Sequence, residues 1–509
     1  MTTLPNSEKW LLAGTILAAS MVFIDGSALN VALPVVQSDL HATASDLVWI
    51  VNGYLLVLAA LIPIGGALGD RFGRRRVYMV GIGLFSAGSL LCGLAPSTDF
   101  LIAARVFQGF GGALLVPGSL ALLSAGTAQE RRGRAIGVWS AATTIVTVIG
   151  PLLGGVFSDL GQWRLVFLIN PPLGLATLVL LGTRLPADAP SKPQGRLDVL
   201  GSLLLAAGLG ALAWGAQAAP DWGFTDPVPW TAIALGAVGV IGFVVVELRV
   251  SAPILPARLF QSPTFAGANL LTFFLYGALS VMAFFLSLNL VQVQGYPKTL
   301  AGMSLLPFAA CMAFLSRPMG QWADRIGPRP FLTIGPILVA AGFLLLAGVG
   351  TTDGWTAYLW TFFPGILAFG LGMAVTVAPL SAAVMGSAGD ELSGTASGVN
   401  NAVSRIAGVL CLAVLGAVAV TLFPPAWNAG TAGLNLTHDQ RSFLAAEAVR
   451  LAGADLPKDL DAGVAAQVHE ALRTAFVATW RVVIASCAAL SLAAAAAGWL
   501  LVRPLSRGR

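Results

Sequence analysis

Gly66-Ala-Leu-Gly-Asp70-Arg71-Phe-Gly73-Arg74-Arg75 lies between two long apolar runs, and 254 residues further on Gly320-Gln-Trp-Ala-Asp324-Arg325-Ile-Gly327-Pro-Arg329 does the same. Each stretch reads as a tight charged turn joining two membrane helices. Their shared Gly-x-x-x-Asp-Arg-x-Gly pattern implies a chain built from two related halves. Pseudo-symmetric halves are how many secondary transporters alternate access around a central site, so the repeat bears on function as well as on fold.

Composition agrees. Of 509 residues, 57% are hydrophobic and only 10% charged, against about 25% charged in an ordinary soluble domain. Such a surface must face lipid, and the balance of +5 is no sign of nucleic-acid binding. Cys92, Cys311, Cys411 and Cys487 sit in separate apolar runs without metal-ligand spacing and read as small buried hydrophobes. The first apolar run, interrupted by Asp25, reads as a span and not as a cleaved signal.

A bilayer-crossing helix needs about 20 apolar residues. Fourteen stretches qualify: 10–34, 47–68, 77–95, 100–124, 134–158, 165–184, 197–217, 229–248, 264–292, 300–318, 331–350, 356–386, 396–423 and 475–502. Runs this long and uniformly apolar are helices, not barrel strands. Basic residues concentrate after the second, fourth, sixth, eighth and tenth spans (Arg71/Arg74/Arg75/Arg76, Arg131/Arg132/Arg134, Lys192/Arg196, Arg249/Arg258, Arg325/Arg329) and in the tail at Arg503, Arg507 and Arg509. Alternate short loops carry little beyond Arg164 and Lys298, which puts both termini in the cytoplasm. The loop after the twelfth span, with Asp390 and Glu391 but no base, departs from the pattern.

The repeat sets the expected layout. Residues 1–184 form one six-helix half, 185–262 a Pro-bearing linker with two inserted helices, and 263–509 the second half. The loop 424–474 is then extracytoplasmic, and Thr437 offers a start for a short amphipathic helix within an otherwise solvated, lid-like segment.

Ionisable side chains are scarce inside the spans. Asp25 is the only acid well within one, and Arg105 and Arg405 are the clearest bases. A charge at the bilayer centre costs about 2.5–3.5 kcal/mol on insertion scales, so each needs a polar interior and a partner or a task. Asp25 and Arg105 fall at similar depth and could meet. A helix movement that displaced the arginine would load or release a proton on the aspartate; the alternative is a static ion pair stapling two helices. In the fifth span, Gly150-Pro151-Leu-Leu-Gly154-Gly155 combines a missing backbone donor with glycines four apart, which suits a hinge or a tight helix–helix contact. In the echoed turns, Gly66 and Gly320 are expected to allow close helix packing. Asp70, Arg71, Gly73, Arg74, Asp324 and Arg325 are expected to form a latch, while Arg75 and Arg76 read as topology markers.

These residues resemble the major facilitator superfamily, and more closely its fourteen-span branch of drug:proton antiporters. The turn from Gly66 to Arg75 is similar to the superfamily's best-known motif. Ile24-Asp25-Gly-Ser-Ala-Leu-Asn30-Val-Ala-Leu-Pro34 resembles the branch's first-span motif, and Arg105-Val-Phe-Gln108-Gly109-Phe-Gly111-Gly112 the fourth-span motif linked to proton transfer. Gly150 to Gly155 is similar to the antiporter motif of the fifth span, and Trp163-Arg164-Leu-Val-Phe-Leu-Ile-Asn170-Pro-Pro-Leu-Gly174 to the opening of the sixth. The resemblance implies an all-α integral membrane protein of two facing six-helix bundles plus two extra helices, with alternating access and export driven by inward proton flow. It assigns coupling to Asp25 and Arg105, the latch to Asp70 and Arg71 and the hinge to Pro151. It implies no cofactor beyond the coupling protons. The expected partners are a small hydrophobic or amphipathic substrate and membrane lipid, with no nucleic acid, and the chain is expected to be a monomer in the cell inner (plasma) membrane.

One departure concerns the substrate. Exporters of lipophilic cations often carry extra acids in the second half, whereas here the thirteenth span offers Asn400, Asn401 and Arg405, and no acid lies deep in spans nine to fourteen. Neutral or anionic amphiphiles are therefore candidates, with Asn30, Gln108, Tyr276, Asn400 and Arg405 as cavity residues. Trp49, Tyr54, Trp139, Phe273 and Phe274 could line the cavity or simply pack. The leading function is multidrug efflux, and the alternative is a dedicated exporter of one lipid or anionic or neutral metabolite. A membrane enzyme is disfavoured because His41, His438 and His469 lie in or near loops and no nucleophile–base pair or metal cluster falls in the spans. A sensor lacks a soluble signalling domain in this sequence.

Overall fold

The computed structural model describes residues 6–184, 199–222, 225–250, 257–352, 354–387 and 389–503, and every regular element in them is helical. In chain order the helices are α1 (Asn6–Leu40), α2 (Ala44–Phe72), α3 (Arg74–Gly93), α4 (Thr98–Ala125), α5 (Gln129–Asp159), α6 (Leu165–Leu168), α7 (Asn170–Arg184), α8 (Val199–Trp222) and α9 (Pro227–Glu247). There follow α10 (Ala257–Phe260), α11 (Pro263–Leu288), α12 (Lys298–Met303), α13 (Leu306–Ile326), α14 (Pro328–Ala347), α15 (Phe362–Gly386), α16 (Gly389–Thr431), α17 (His438–Glu447) and α18 (Ala462–Leu501). The helix satisfies its own backbone within one segment, which lipid-facing chain requires. The linker 186–193, Lys192, Arg196, Arg507 and Arg509 lie outside the described residues.

Among the described residues thirteen stretches are long and apolar enough to cross a bilayer, against the fourteen that the sequence predicts. The difference is α5, whose described apolar part, Ile145–Asp159, is short for a span. The whole helix, Gln129–Asp159, has 31 residues, enough length to cross a bilayer.

Backbone contacts gather the chain into two compact units. The first comprises Met1–Ala32, Trp49–Gly210 and Gly236–Pro256; the second comprises Leu33–Val48, Ala211–Leu235 and Ala257–Arg509. The first unit closes on Tyr54, Leu58, Tyr78, Ile82, Phe85 and Leu115, all buried. Tyr54 thus packs in the core, edge-on to Phe85 at 6.2 Å. In the second, Phe369 of α15 meets Phe308 and Phe343 at 5.1 and 5.4 Å. The buried Trp480 of α18 donates its ring N–H to the carbonyl of Leu346 at 2.9 Å.

The echoed turns share a backbone form. Gly73 ends α2 at φ 100°, and Gly327 ends α13 at φ 92°. Only glycine adopts that backbone without strain. The Gly73 N–H donates to the Gly69 carbonyl at 3.1 Å, and the Gly327 N–H to Ala323 at 2.8 Å. The correspondence extends to the arginines two residues later. Arg75 donates to the carbonyls of Leu181 and Gly182 in the last turn of α7 at 2.9–3.2 Å. Arg329 donates to the Trp499 carbonyl in the last turn of α18 at 2.9 Å, with its guanidinium 4.1 Å from that ring's centroid. Orphan carbonyls at a helix C-terminus favour a cation. Arg75 is therefore a helix clamp, not a bare topology mark.

The close packing expected of Gly66 belongs to its neighbour. A Cβ on Gly66 would meet nothing within 4 Å, whereas one on Gly65 would collide with the Ala113 carbonyl of α4. Adjacent positions differ by about 100° around a helix, so only one faces α4. Gly65→Ala is expected to cost about 1–3 kcal/mol through overpacking. Gly66→Ala should leave stability unchanged or raise it by up to about 1 kcal/mol through helix propensity. Thermal unfolding of the two variants in detergent reads the contrast directly.

The expected loop 424–474 is largely helical. α16 runs on to Thr431 and α18 starts at Ala462; at 43 and 40 residues they are about 64 and 60 Å long, twice a hydrocarbon core of about 30 Å. Between them α17 begins in a capping box: the Gln440 N–H donates to Thr437 Oγ1 at 3.2 Å and the Thr437 N–H to Gln440 Oε1 at 2.9 Å. Leu444, Ala448 and Leu451 are buried, as are Trp427 and Leu472 on the helical extensions. The segment is a packed cap, and it grips the end of α1. The Gln37 amide donates to the Arg450 carbonyl at 2.9 Å and accepts from Gln292 at 2.8 Å, and Arg450 donates to the His41 carbonyl at 3.3 Å.

Candidate functional site

Among its described residues, the first unit holds one fully buried ion pair. Asp25 of α1 is 0% exposed and Arg105 of α4 is 1% exposed. Arg105 Nη1 donates to Asp25 Oδ2 at 2.6 Å. Gln108 lies three residues on, hence on the same helix face, and its amide donates to Asp25 Oδ1 at 2.9 Å. The carboxylate thus has a donor on each oxygen. The Gln108 carbonyl in turn accepts from Arg105 Nη1 at 2.6 Å, and Arg105 Nε donates to the Ile50 carbonyl at 3.1 Å. The Tyr54 ring lies 4.4 Å and the Phe167 ring 5.7 Å from the guanidinium carbon, at cation–π distance.

Further polar groups hold this arrangement. Ser89 Oγ of α3 accepts from Gln108 Nε2 at 2.7 Å and from Asn170 Nδ2 at 2.9 Å. Cys92 Sγ approaches Gln108 Oε1 at 3.7 Å. Gln108 is therefore part of the ion-pair network and not, as its sequence position suggests, a substrate-cavity residue: it is wholly buried with its amide committed. Ser89, Asn170 and Tyr54 were not singled out for this site by the sequence. Asn170, first residue of α7 before Pro171-Pro172, carried the one available signal, since an amide seldom stands in an apolar run without a bond to make.

Desolvating two charges costs several kcal/mol per ion, and their attraction barely repays it. Such a pair is a weak stabiliser. Asp25 is sealed from solvent, with both carboxylate oxygens occupied.

The remaining expected residues fall in three places. Gly150 and Gly154 of α5 bring that helix onto α1: a Cβ on Gly150 would strike Ser27 Oγ, and one on Gly154 the Ala28 carbonyl. Pro151 and Gly155 are buried beside them. At the first echoed turn Arg71 is exposed with its guanidinium 5.5 Å from the Phe72 ring, and Arg74 donates to the Ala121 carbonyl at 3.4 Å. The Asp70 side chain lies outside the description. At the second, Asp324 and Arg325 are exposed, and Gly320 comes within 3.3 Å of Ala378 if given a Cβ. A further link near the start of α1 joins Glu8 to Arg131, with oxygen–nitrogen distances of 2.7 and 3.0 Å.

Of the expected cavity residues, Asn30 is half-buried and its amide bonds back to the Gly26 carbonyl at 3.2 Å. In the second unit, Asn400 Nδ2 of α16 donates to Thr272 Oγ1 at 2.7 Å and Asn269 Oδ1 at 3.2 Å on α11. Tyr276, one turn beyond Thr272, lies within electrostatic reach of Arg405.

Span-length helices make this a polytopic membrane protein, and its family places it among transporters rather than enzymes. The chain belongs to the major facilitator superfamily, whose family model matches residues 15–412. It is 33% identical over 419 residues to the tetracenomycin C resistance and export protein of Streptomyces glaucescens, covering 80% of this chain and 76% of that one. It is 34% identical over 418 residues to the multidrug resistance protein Stp of Mycobacterium tuberculosis, covering 81% and 76%. Among solved structures, an inward-facing, occupied bacterial homologue of the human lysosomal transporter Spinster aligns with a TM-score of 0.65 over 97% of both chains at 17% identity. At that identity the likeness is one of fold.

Proposed function

We propose that the protein is a proton-coupled antiporter that exports hydrophobic or amphipathic small molecules across the cell inner (plasma) membrane by alternating access. The observation that carries the coupling is the sealed Asp25–Arg105 pair at 2.6 Å. A carboxylate with one cationic partner has two states, paired and ionised or separated and protonated, and alternation between them moves one proton per cycle. One charge crossing 100 mV supplies about 2.3 kcal/mol, enough to bias a conformational equilibrium. The export of drug-like compounds is supported by relatives named for tetracenomycin C export and for multidrug resistance. In this reading residues 1–184 and 263–509 are the two six-helix halves and 185–262 the insertion. Both termini are cytoplasmic in this reading, which the Arg-rich turns support, and the Asp70–Arg71 and Asp324–Arg325 turns with Pro151 change contacts between states.

The test is reconstitution in proteoliposomes with an entrapped pH dye and an imposed proton gradient. Uphill movement of an amphipathic probe with matching counterflow of protons, both collapsed by a protonophore, is the expected result. Probe movement without proton movement would overturn the antiport reading.

A further inference from the structure

We propose that Arg405 receives an anionic group of the exported compound, so that the preferred substrates are amphipathic organic acids bearing a carboxylate or phenolate. The inference rests on the export reading and names its substrate class.

The chain contains its own standard for a fully partnered arginine within a span. Arg105 is 1% exposed, with a carboxylate, an amide oxygen, a backbone carbonyl and an aromatic face around it. Arg405 is the opposite case. It is the one charged residue of the span Ala396–Thr431, it is half-buried, and among the described residues no hydrogen-bond or ion-pair partner meets its guanidinium. Among the described acids of the second unit, Asp324 lies in the last turn of α13 and Glu470 near the start of α18, both far along the chain from this turn.

Its direction is set by its neighbour. Asn400 is tied to Asn269 and Thr272 of α11, which fixes the rotation of α16. Asn401, about 100° further round, is exposed, as is Gly398. The Asn401 amide nitrogen is spent on the Ser397 carbonyl at 3.0 Å. Gly398, Asn401 and Arg405 therefore form an accessible stripe along the first turns of the span, polar at Asn401 and Arg405, with half-buried Phe273 and Tyr276 on the adjoining helix. Hydrocarbon cannot solvate such a stripe, since an arginine within a span costs up to about 2.5–3.5 kcal/mol. The stripe faces a space filled by water or by ligand. An uncompensated guanidinium in that space repels cations and offers paired N–H donors that match a carboxylate or phenolate oxygen, while the aromatic rings take the apolar body.

Equilibrium dialysis of the purified full chain in detergent, with detergent alone as blank, tests this without any gradient. The probes are 8-anilinonaphthalene-1-sulfonate, which is anionic, and N-phenyl-1-naphthylamine, its neutral counterpart. Wild type is expected to hold the anion about tenfold more tightly, a single charge-assisted contact's worth. Arg405→Gln should erase that preference with neutral binding unchanged, and Arg405→Lys should keep most of it. Equal affinity for the two probes in wild type, or equal weakening of both by Arg405→Gln, would overturn the assignment. Because wild type alone reports the charge preference, a variant that folds poorly does not remove the test. Loss of proton coupling in liposomes with the preference intact would sink the antiport reading and leave this one standing.

Discussion

The paired substitution Asp25→Asn with Arg105→Gln is expected to give a protein that folds and inserts but moves no substrate uphill. Each single change leaves something worse. Arg105→Ala strands the Asp25 carboxylate with the Gln108 amide alone and empties the space of a fully buried side chain. Breaking a buried pair from one side costs about 3–5 kcal/mol. Asp25→Asn leaves the guanidinium buried, although the Ile50 carbonyl, Gln108 and the Tyr54 ring still hold it, so the loss should be smaller. Removing both charges while keeping amides that hydrogen-bond one another relieves most of the penalty. Thermal unfolding in detergent should therefore rank the double variant above Arg105→Ala, and the cycle of Asp25→Asn, Arg105→Gln and their combination should give a coupling energy of about 1–3 kcal/mol.

Transport separates the two meanings of the pair. If it is only a staple between α1 and α4, restoring the fold restores transport. If Asp25 carries the proton, the double variant stays silent under a proton gradient however well it folds. Recovery of gradient-driven transport in the double variant would retire Asp25 from the coupling role.

The pair was legible in the sequence because charge is costly in a bilayer, which makes a lone Asp and a lone Arg conspicuous. The echoed turns were legible because a charged break between apolar runs has few meanings. Neutral polar residues give no such signal. Ser89 and Asn170 complete the site, yet serine and asparagine occur in spans for many local reasons, including bonds back to their own helix as in Asn30 and Asn401. Helical phase was equally hidden. Gly65 and Gly66 are the same residue one step apart, and only the position of Ala113 decides which one matters. The clamps at Arg75 and Arg329 could have been found, since both echoed stretches end on them; positive charge at a helix end simply has a ready explanation in topology. The cap between Thr431 and Ala462 was obscured by its moderate polarity, which suits a solvated loop as well as a packed helical layer.

Gly154→Ala should cost transport at least as much as it costs stability, and no side-chain change should rescue it. The added methyl would meet the Ala28 carbonyl oxygen, carbonyl carbon and Cα together, all backbone atoms of α1. Heavy atoms in contact need about 3.5–4.0 Å, so the two helices must part, at a cost of about 1–3 kcal/mol. Ala28 is three residues beyond Asp25, on the same side of the same helix, and a displaced α1 carries the carboxylate away from Arg105. Transport should fall by about tenfold or more, the weight of some 1.4 kcal/mol. Gly150→Ala offers the matched contrast. Its methyl would strike the Ser27 hydroxyl, a side-chain atom, so Ser27→Ala should recover much of the lost transport in that background and none in Gly154→Ala. Near-normal transport by Gly154→Ala would show that the tight approach of α5 to α1 is dispensable, and would leave Pro151, with its missing donor to the Thr147 carbonyl, as the feature of this segment that function depends on.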